Sequence, residues 1–295
     1  MYIGSTGEKG LHHLVYEIVD NSVDEALAGF CKNIHVTINE DNSITVEDDG
    51  RGMPVDMHPK EKFLPLKLSI QFFMPEVNSA VADIRYPWSS RCRCIRCKCL
   101  STRMEVEVKR DGNIYALAFE RGKTVEKMHV IGQAKETGSK TTFWPDPDIF
   151  EETVFNFDTL EHRLREMAFL NKGIRITLTD KRDGEEEKEE FHYEGGIKEF
   201  VQFINKNKDV IHPDIVYFEA KGKDKTGKGD MEMEVAFQYT DRYTELIMSY
   251  ANNINTVDGG YHLSGFKSVL QEYLMITQRK TNFLRIMMPH FPAMM

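Results

Sequence analysis

GLHHLVYEIVDNSVDEA, residues 10–26, is the most informative stretch of this chain. Its apolar side chains recur at spacings of three and four, which predicts an amphipathic helix over residues 8–30 that stops at Gly29. The apolar set is Leu11, Leu14, Val15, Ile18 and Val19. Four polar residues spaced by four, His13, Glu17, Asn21 and Glu25, fall on one face of that helix. The helix therefore offers an apolar stripe for a core and a polar stripe for chemistry.

The residues after this helix predict a sheet that contains one unusual turn. Residues 34–38 and 43–47 alternate apolar and polar side chains, as the two strands of a hairpin do. DDGRGMP, residues 48–54, is a turn rich in acid and glycine. Further strands are predicted at 104–109, 113–119, 140–144, 174–178, 215–220 and 231–239, with helices at 160–170 and 197–205. The charged run 180–190 is most simply a solvated loop, and a second unit begins near Gly195 and Gly196.

The helix and the turn together indicate a nucleotide site. A carboxylate such as Glu17 can hold and deprotonate a water for attack on a phosphate. The amide oxygen of Asn21 is a hard ligand that suits Mg²⁺, and an aspartate at the start of the glycine turn can accept from an adenine amino group. Glycines let the backbone approach a base closely. Taken alone, a polar stripe is usually only a wet helix face and an acidic turn only a turn, so the inference depends on their order and flanks.

Composition excludes several classes of protein. With 295 residues, of which 41% are hydrophobic and 29% charged, the chain has the composition of a globular protein with a core. Its net charge of −9 argues against a general nucleic-acid-binding surface, and no apolar run is long enough to span a membrane. Five cysteines without a signal peptide favour a reducing compartment, and the cytoplasm is the expected location.

These motifs resemble the B subunits of DNA gyrase. The resemblance is carried by residues 1–7 and 10–26, by residues 48–54, by Leu170–Gly173 and His192–Gly196, and by Asp258–Gly260, and it covers 1–62 and 100–270. It implies an α+β chain: a gyrase/histidine-kinase-type ATPase α/β sandwich at 1–195, then an incomplete α+β transducer domain at 196–270. Topoisomerase IV is the near relative, and the mismatch-repair and heat-shock-ninety ATPases form the wider circle.

The resemblance also implies roles for single residues. Glu17 is the general base for ATP hydrolysis, and His13 orients it or its water. Asn21 is the Mg²⁺ ligand, Asp48 binds the adenine amino group, and Ser139 touches the water that Asp48 shares. The nucleotide-binding set is Asn21, Glu25, Asp48, Gly50, Arg51, Gly52, Met53, Pro54 and Ser139, in which Arg51 lies over the base and pairs with Glu25.

The function implied is that of an ATP-operated clamp. In the family this region binds and hydrolyses ATP, dimerises with a second copy on ATP binding, and drives DNA strand passage and negative supercoiling with the gyrase A subunit. The implied class is an ATP-hydrolysing type IIA topoisomerase with ATP and Mg²⁺ as its cofactors, DNA as its partner through the complete holoenzyme, and no membrane association. The alternatives are a fragment of the topoisomerase IV B subunit, or an inert fragment without a working ATP lid.

Residues 63–99 depart from the family, whose ATP lid belongs there. Read one base out of frame, residues 71–87 permit TVLHAGGKFGGGGYKVS, and after another shift residues 89–99 permit GLHGVGASVVN, both of which are lid-like strings. Residues 271–295 are likewise read as a frame-shifted tail. This interpretation makes the cysteines at 92–99 accidental, against the alternative of a zinc site, whose single-residue gaps are poor for tetrahedral ligation. Without a lid, the chain as written is expected to lack measurable ATPase activity.

Overall fold

The structure is a computed structural model of the whole chain. It describes residues 5–53, 55, 97, 99–182, 184, 186–223, 230–242 and 244–281. By packing, the chain divides into two compact units, Met1–Thr240 and Asp241–Met295. The predicted boundary at 195/196 follows a sequence motif rather than a packing division, and it stays a prediction.

The first unit contains three helices and one large sheet among its described residues. The helices are α1 (Glu8–Leu27), α2 (Phe157–Leu170) and α3 (Ile197–Asn205). The strands of the large sheet are β1 (Asn33–Ile38), β2 (Ile44–Asp48), β3 (Ser101–Arg110), β4 (Asn113–Glu120), β5 (Lys123–Gln133), β6 (Gly138–Pro145), β7 (Arg175–Asp180) and β8 (Glu187–His192). Their order is β5-β4-β3-β6-β2-β1-β7-β8. Neighbours are antiparallel except β1 and β7, which are parallel.

The helices cover one face of this sheet and make the core. On β1, Ile34, Val36 and Ile38 are buried while His35 is exposed, so successive side chains alternate between core and solvent. Helix α1 packs on β2, and α2 packs on β7 and β8. The largest fully buried side chains are Phe119, Phe143, Phe155, Phe169, Phe191, Leu11, Leu14, Ile34, Ile38 and Ile44. This arrangement confirms the α+β class and the predicted α/β sandwich.

Helix ends follow the local sequence. Helix α1 stops where Gly29 takes the left-handed φ of +83°, a backbone conformation that glycine adopts without a steric penalty. Helix α2 begins at Asn156, whose side chain accepts the backbone N–H of Thr159 at 3.0 Å and so caps the helix.

Two edge strands differ from the sequence predictions. Residues 187–190 were expected in a solvated loop, and that is wrong: they belong to β8, which pairs antiparallel with β7. In β8, Phe191 is buried and the other side chains are exposed, so an edge strand that faces water resembles a loop in its composition. Strand β5, at the opposite edge, was not predicted, because bulges in its pairing with β4 disturb its alternation.

A second layer of contacts extends the first unit beyond β8. The ring of Phe169, on α2, stacks on Tyr193 at 3.6 Å and on Phe200, of α3, at 4.8 Å between centroids. Strands β9 (Val216–Lys223) and β10 (Asp230–Phe237) form an antiparallel hairpin against which α3 packs. Aromatic stacking therefore joins the main sheet to this smaller α+β element.

The second unit is small among its described residues. It contains two short paired strands, β11 (Tyr250–Ala251) and β12 (Ile254–Asn255), and helix α4 (Tyr261–Thr281). Lys267 of α4 forms an ion pair of 3.0 Å with Glu245. The predicted frame-shifted tail, 271–295, begins inside α4, and its residues 282–295 lie outside the described part of the chain. No helix within the described ranges is long and apolar enough to cross a membrane.

Candidate functional site

The polar stripe of α1 lies where the sequence placed it, and its central carboxylate is buried. The Glu17 side chain is 1% exposed, and its Oε1 lies 3.7 Å from Nε2 of His13, which is one turn earlier. Asn21 Nδ2 donates to the carbonyl oxygen of Glu17 at 3.0 Å. The amide's oxygen end, which is the end that binds a hard cation, therefore points away from that carbonyl. The helix thus aligns a histidine, a carboxylate and an amide oxygen.

Asp48 is the last residue of β2, beside α1, and its carboxylate accepts several hydrogen bonds. Its Oδ1 accepts the N–H of Gly50 at 3.0 Å, and its Oδ2 accepts the hydroxyl of Ser22 at 2.9 Å. Desolvation raises the pKa of Asp48, while the N–H of Gly50, the Ser22 hydroxyl and the N–H of Ser139 oppose that rise and the charge of Glu25 adds to it. An acceptor whose two oxygens are both held in place suits recognition of an amino group.

Ser22 is a candidate site residue that the sequence reasoning missed. It lies on α1 four residues after Ile18 and seven after Val15, so the helical pattern places it on the apolar stripe, and it is buried at 3% exposure. A hydroxyl at a core position was the available signal, because buried hydroxyls need a partner. Its partner is the carboxylate of Asp48.

Asp49, the neighbour of Asp48, has a structural role. Its Oδ1 accepts the backbone N–H groups of Lys32 at 2.7 Å and Asn33 at 3.0 Å, and its Oδ2 accepts Asn33 Nδ2 at 2.6 Å. Desolvation opposes ionisation, but these donors outweigh it and hold the pKa of Asp49 below its usual range. Asp49 therefore fastens the start of β1, while Asp48 faces α1.

Three glycines allow the turn that begins at Asp48 to pack closely on its neighbours. A Cβ on Gly50 would lie 2.9 Å from Asp48 Oδ1, and one on Gly138 would collide with the Asp48 carbonyl oxygen. Gly52 has a φ of +76°, and a Cβ there would meet the Lys109 carbonyl oxygen at 2.8 Å. The turn therefore packs directly on β3 and β6, as a cradle of backbone does.

Side chains at the rim fix the same turn. Arg51 donates to both carboxylate oxygens of Glu25, from Nε at 2.9 Å and from a terminal nitrogen at 3.0 Å, and its guanidinium lies 3.7 Å from the ring centroid of Phe30. Arg110 Nη1 donates to the Gly52 carbonyl oxygen at 2.9 Å. A bidentate pair and a guanidinium–carbonyl bond therefore hold the turn against α1 and β3.

The structure shows fewer contacts for the remaining predicted site residues. Ser139 is buried on β6 opposite Asp48, and it reaches that carboxylate through its backbone N–H. Met53 is partly buried and packs on the core. Pro54 lies outside the described residues, as do 56–96 and 98 and therefore most of the predicted aberrant segment. Cys97 is buried and its Sγ–H donates to the carbonyl oxygen of Leu14 at 3.5 Å.

The zinc alternative stays a prediction. Cys92 and Cys94 lie outside the described residues, and Cys99 is exposed. In the described part of the chain, no three His, Cys, Asp or Glu side chains are grouped to hold a metal ion.

Comparison with known proteins yields matches to two families and to several relatives. Residues 6–147 match the family described as histidine kinase-, DNA gyrase B-, and HSP90-like ATPase, and residues 196–287 match the family DNA gyrase B. The second match runs past residue 270, into the segment for which a frame change is predicted.

The relatives match over almost the whole chain. The DNA gyrase B subunit of Clostridium acetobutylicum is 46% identical over 97% of this chain and 44% of its own length, and that of Thermotoga maritima is 47% identical over 97% and 45%. The DNA topoisomerase 4 B subunit of Staphylococcus aureus is 45% identical over 97% of this chain and 42% of its own. The chain therefore spans less than half the length of these relatives.

A solved structure matches as well. The crystal structure of the 43K ATPase domain of Thermus thermophilus gyrase B, in complex with an aminocoumarin, superposes with a TM-score of 0.76 at 37% identity. The match covers 96% of this chain and 72% of that one.

Proposed function

Since this chain belongs to the DNA gyrase B family, we propose that its α1 stripe and its glycine turn bind ATP for hydrolysis. The observation that carries the proposal is the hydrogen bond between Ser22 and Asp48, which seats the carboxylate of the glycine turn directly on the helix that presents Glu17 and Asn21. Base recognition and phosphate chemistry then share one helix.

Asp48 is the proposed adenine-binding group. Its carboxylate accepts from the adenine amino group, Gly50 and Gly52 let the base approach the backbone, and Met53 lines the pocket. The close packing around Gly50, Gly52 and Gly138 supports this role, because a Cβ at any of these positions would collide with the protein and displace the turn that carries Asp48. Glu25 and Arg51 form the rim, with Arg51 held in place by its two bonds. Ser139 and Pro54 complete the proposed set.

Asn21 is the proposed ligand of Mg²⁺. The orientation of its amide, with Nδ2 committed to the Glu17 carbonyl, fits a cation on the oxygen end. One protein ligand is enough, because Mg²⁺ usually keeps several waters and takes phosphate oxygens. The ion would neutralise charge on the phosphates.

Glu17 is the proposed general base. Its carboxylate accepts the proton of the attacking water, and burial beside His13 holds it in one orientation. The Nε2 of His13 lies 3.7 Å from that carboxylate, which fits a ring that steers the carboxylate or its water. His13 therefore orients Glu17 or its water.

The activity of the whole protein is proposed from the family. We infer that the complete protein introduces negative supercoils into DNA by strand passage, with the gyrase A subunit, in the cytoplasm, and that this region closes as a dimer on ATP binding. Gyrase is favoured over topoisomerase IV because the match at 196–287 is to a family described as DNA gyrase B.

The test measures ADP binding by calorimetry and ATP hydrolysis by phosphate release. We expect the chain to bind ADP, Asp48→Asn to abolish binding, and Glu17→Gln to leave it intact. Glu8→Gln, at the first turn of the same helix, is the control and should behave as wild type. Absence of ADP binding by the folded wild-type chain would overturn the proposal.

A separate experiment tests the lid interpretation. The chain as written should bind ADP without turnover, because residues 63–99 lack the glycine-rich lid sequence whose backbone amides hold the phosphates in the family. A variant in which residues 71–87 read TVLHAGGKFGGGGYKVS and residues 89–99 read GLHGVGASVVN should hydrolyse ATP, and Glu17→Gln in that variant should stop it. Normal turnover by the unaltered chain would contradict the lid interpretation alone.

A further inference from the structure

We propose that Ser22 is a positioning residue of this site, whose hydroxyl aims the Asp48 carboxylate and supports the choice of adenine over guanine. The inference rests on the proposed function, because it concerns the same base pocket. It assigns a role to a side chain that reaches the base only through another residue.

The two oxygens of Asp48 are held separately. Gly50 N–H donates to Oδ1 at 3.0 Å from the turn, and the Ser22 hydroxyl donates to Oδ2 at 2.9 Å from α1. Two donors on different oxygens, from different elements, fix the plane of the carboxylate. Without Ser22 only the contacts from the turn and from β6 would remain to set that plane.

The position of Ser22 in α1 argues that the contact is specific. The residues before it on the same stripe, Leu11, Val15 and Ile18, are apolar and buried. A hydroxyl at 3% exposure would destabilise the helix packing if it lacked a partner. The hydrogen bond to Asp48 supplies that partner, so the helix places a donor on the carboxylate at a position where an apolar side chain would otherwise pack.

The hydrogen-bonding groups of adenine and guanine explain why the ionisation state of Asp48 affects the choice between them. An ionised carboxylate only accepts hydrogen bonds, so it suits the amino group of adenine and repels the keto oxygen of guanine. The groups that face Asp48 are the Ser22 hydroxyl, the N–H groups of Gly50 and Ser139, and the charge of Glu25, which is itself paired with Arg51. Removing the hydroxyl favours the protonated form, which can donate to a keto oxygen.

The experiment compares Ser22→Ala with Ser43→Ala in the full chain. Ser43 is a matched control, because it is also buried, at 1% exposure, and its hydroxyl also donates to an aspartate, Asp41 Oδ1 at 2.7 Å. Ser43 lies just before β2 begins, whereas Asp48 is at the other end of that strand. Calorimetry gives the Kd of ADP and of GDP at pH 5, 6 and 7.5. Protonation of the phosphates affects both ligands alike and cancels in their ratio.

We expect Ser22→Ala to weaken ADP binding about tenfold, as loss of one hydrogen bond to a charged group does. The preference for ADP over GDP should narrow further as the pH falls. Ser43→Ala should lose similar stability with both Kd values unchanged. Ser22→Cys, which is nearly the same size and a weak donor, should lie between wild type and Ser22→Ala.

The outcomes separate the two claims. If folded Ser22→Ala and Ser22→Cys keep the wild-type ratio of Kd values at every pH, the role of Ser22 is overturned while the nucleotide site stands. If the wild-type chain binds neither nucleotide, the proposed function fails and this inference fails with it.

Discussion

His12 and Asn156 join the first two helices through one hydrogen bond: Nε2 of the imidazole accepts the backbone N–H of Asn156 at 2.9 Å. On the other side of the ring, Nδ1 lies 2.8 Å from the carbonyl oxygen of Glu8. Because a carbonyl only accepts and an N–H only donates, the ring is the neutral tautomer protonated at Nδ1. Asn156 is also the N-cap of α2, so His12 fixes the start of α2 against the start of α1.

Replacing this buried ring should therefore destabilise the chain. His12→Ala leaves the Asn156 N–H without its acceptor and opens a cavity beside Phe155, whose ring meets the imidazole edge-on at 5.9 Å. We expect the free energy of unfolding in urea to fall by about 3 kcal/mol. His162→Ala, at an exposed position on α2, is the control. Equal losses for the two variants would contradict the role of His12.

Tyr16 gives an alkaline prediction. Burial raises its pKa from 10.0 to about 12, with Arg163 opposing and Glu166 and Glu8 adding to the rise. Between these two values the unfolded chain releases the phenolic proton while the folded chain keeps it, so stability falls as the pH rises. Phenylalanine has no phenolic proton, so between pH 10 and 12 the free energy of unfolding of Tyr16→Phe should fall by about 2 kcal/mol less than that of the wild type. Urea unfolding at pH 9, 10, 11 and 12 measures this difference. Parallel plots of unfolding free energy against pH for the two proteins would refute the prediction.

Gly52 and Gly112 separate two effects of replacing glycine: backbone strain at a positive φ, and steric contact of the added Cβ. Both have a positive φ, +76° and +80°, but a Cβ on Gly112 would have nothing within 4 Å, while one on Gly52 would meet backbone at 2.8 Å. Gly112→Ala should cost about 1 kcal/mol of stability from φ alone. Gly52→Ala should cost more and abolish ADP binding. If the two variants unfold at the same urea concentration, the packing of this turn is not what requires glycine.

Asp48 and Asp49 should respond to pH with opposite signs. The pKa of Asp49 is lowered in the folded chain, so its stabilisation is present above pH 3.8 and is lost as the pH falls through the folded value. Asp49→Asn should therefore destabilise the chain at pH 7 and much less at pH 2.

The pKa of Asp48 is raised, so ionisation of this group costs stability as the pH rises from 3.8 through its folded value. Asp48→Asn should remove that cost and raise stability at pH 7 while abolishing ADP binding. Unfolding curves at pH 2, 4 and 7 test both variants. A loss of stability at pH 7 in Asp48→Asn would show that its hydrogen bonds outweigh its desolvation.

The helical period of residues 10–26 was sufficient to predict α1, its buried face and its polar stripe, because a burial pattern depends on spacing alone. The choice of Asp48 over Asp49 came from family resemblance, and the structure gives its physical basis in the donors that each carboxylate meets. Ser22 and Arg110 were missed because their partners, Asp48 and the Gly52 carbonyl, are distant in sequence. Strand β8 was missed because its exposed charged side chains resemble a loop, and β5 was missed because bulges in its pairing with β4 disturb its alternation.

Among the described residues no strand pairs with the outer edge of β5 or of β8, and the composition of these two strands bears on how the sheet avoids aggregation. An unpaired edge can recruit a strand of another molecule and grow into an assembly. On β8 the exposed side chains include Glu187, Lys188, Glu189 and Glu190, which would have to lose their hydration for a second strand to dock. On β5 the bulges break the regular spacing of backbone donors and acceptors that a docking strand needs. Charge at one margin and irregularity at the other therefore both oppose the addition of a further strand.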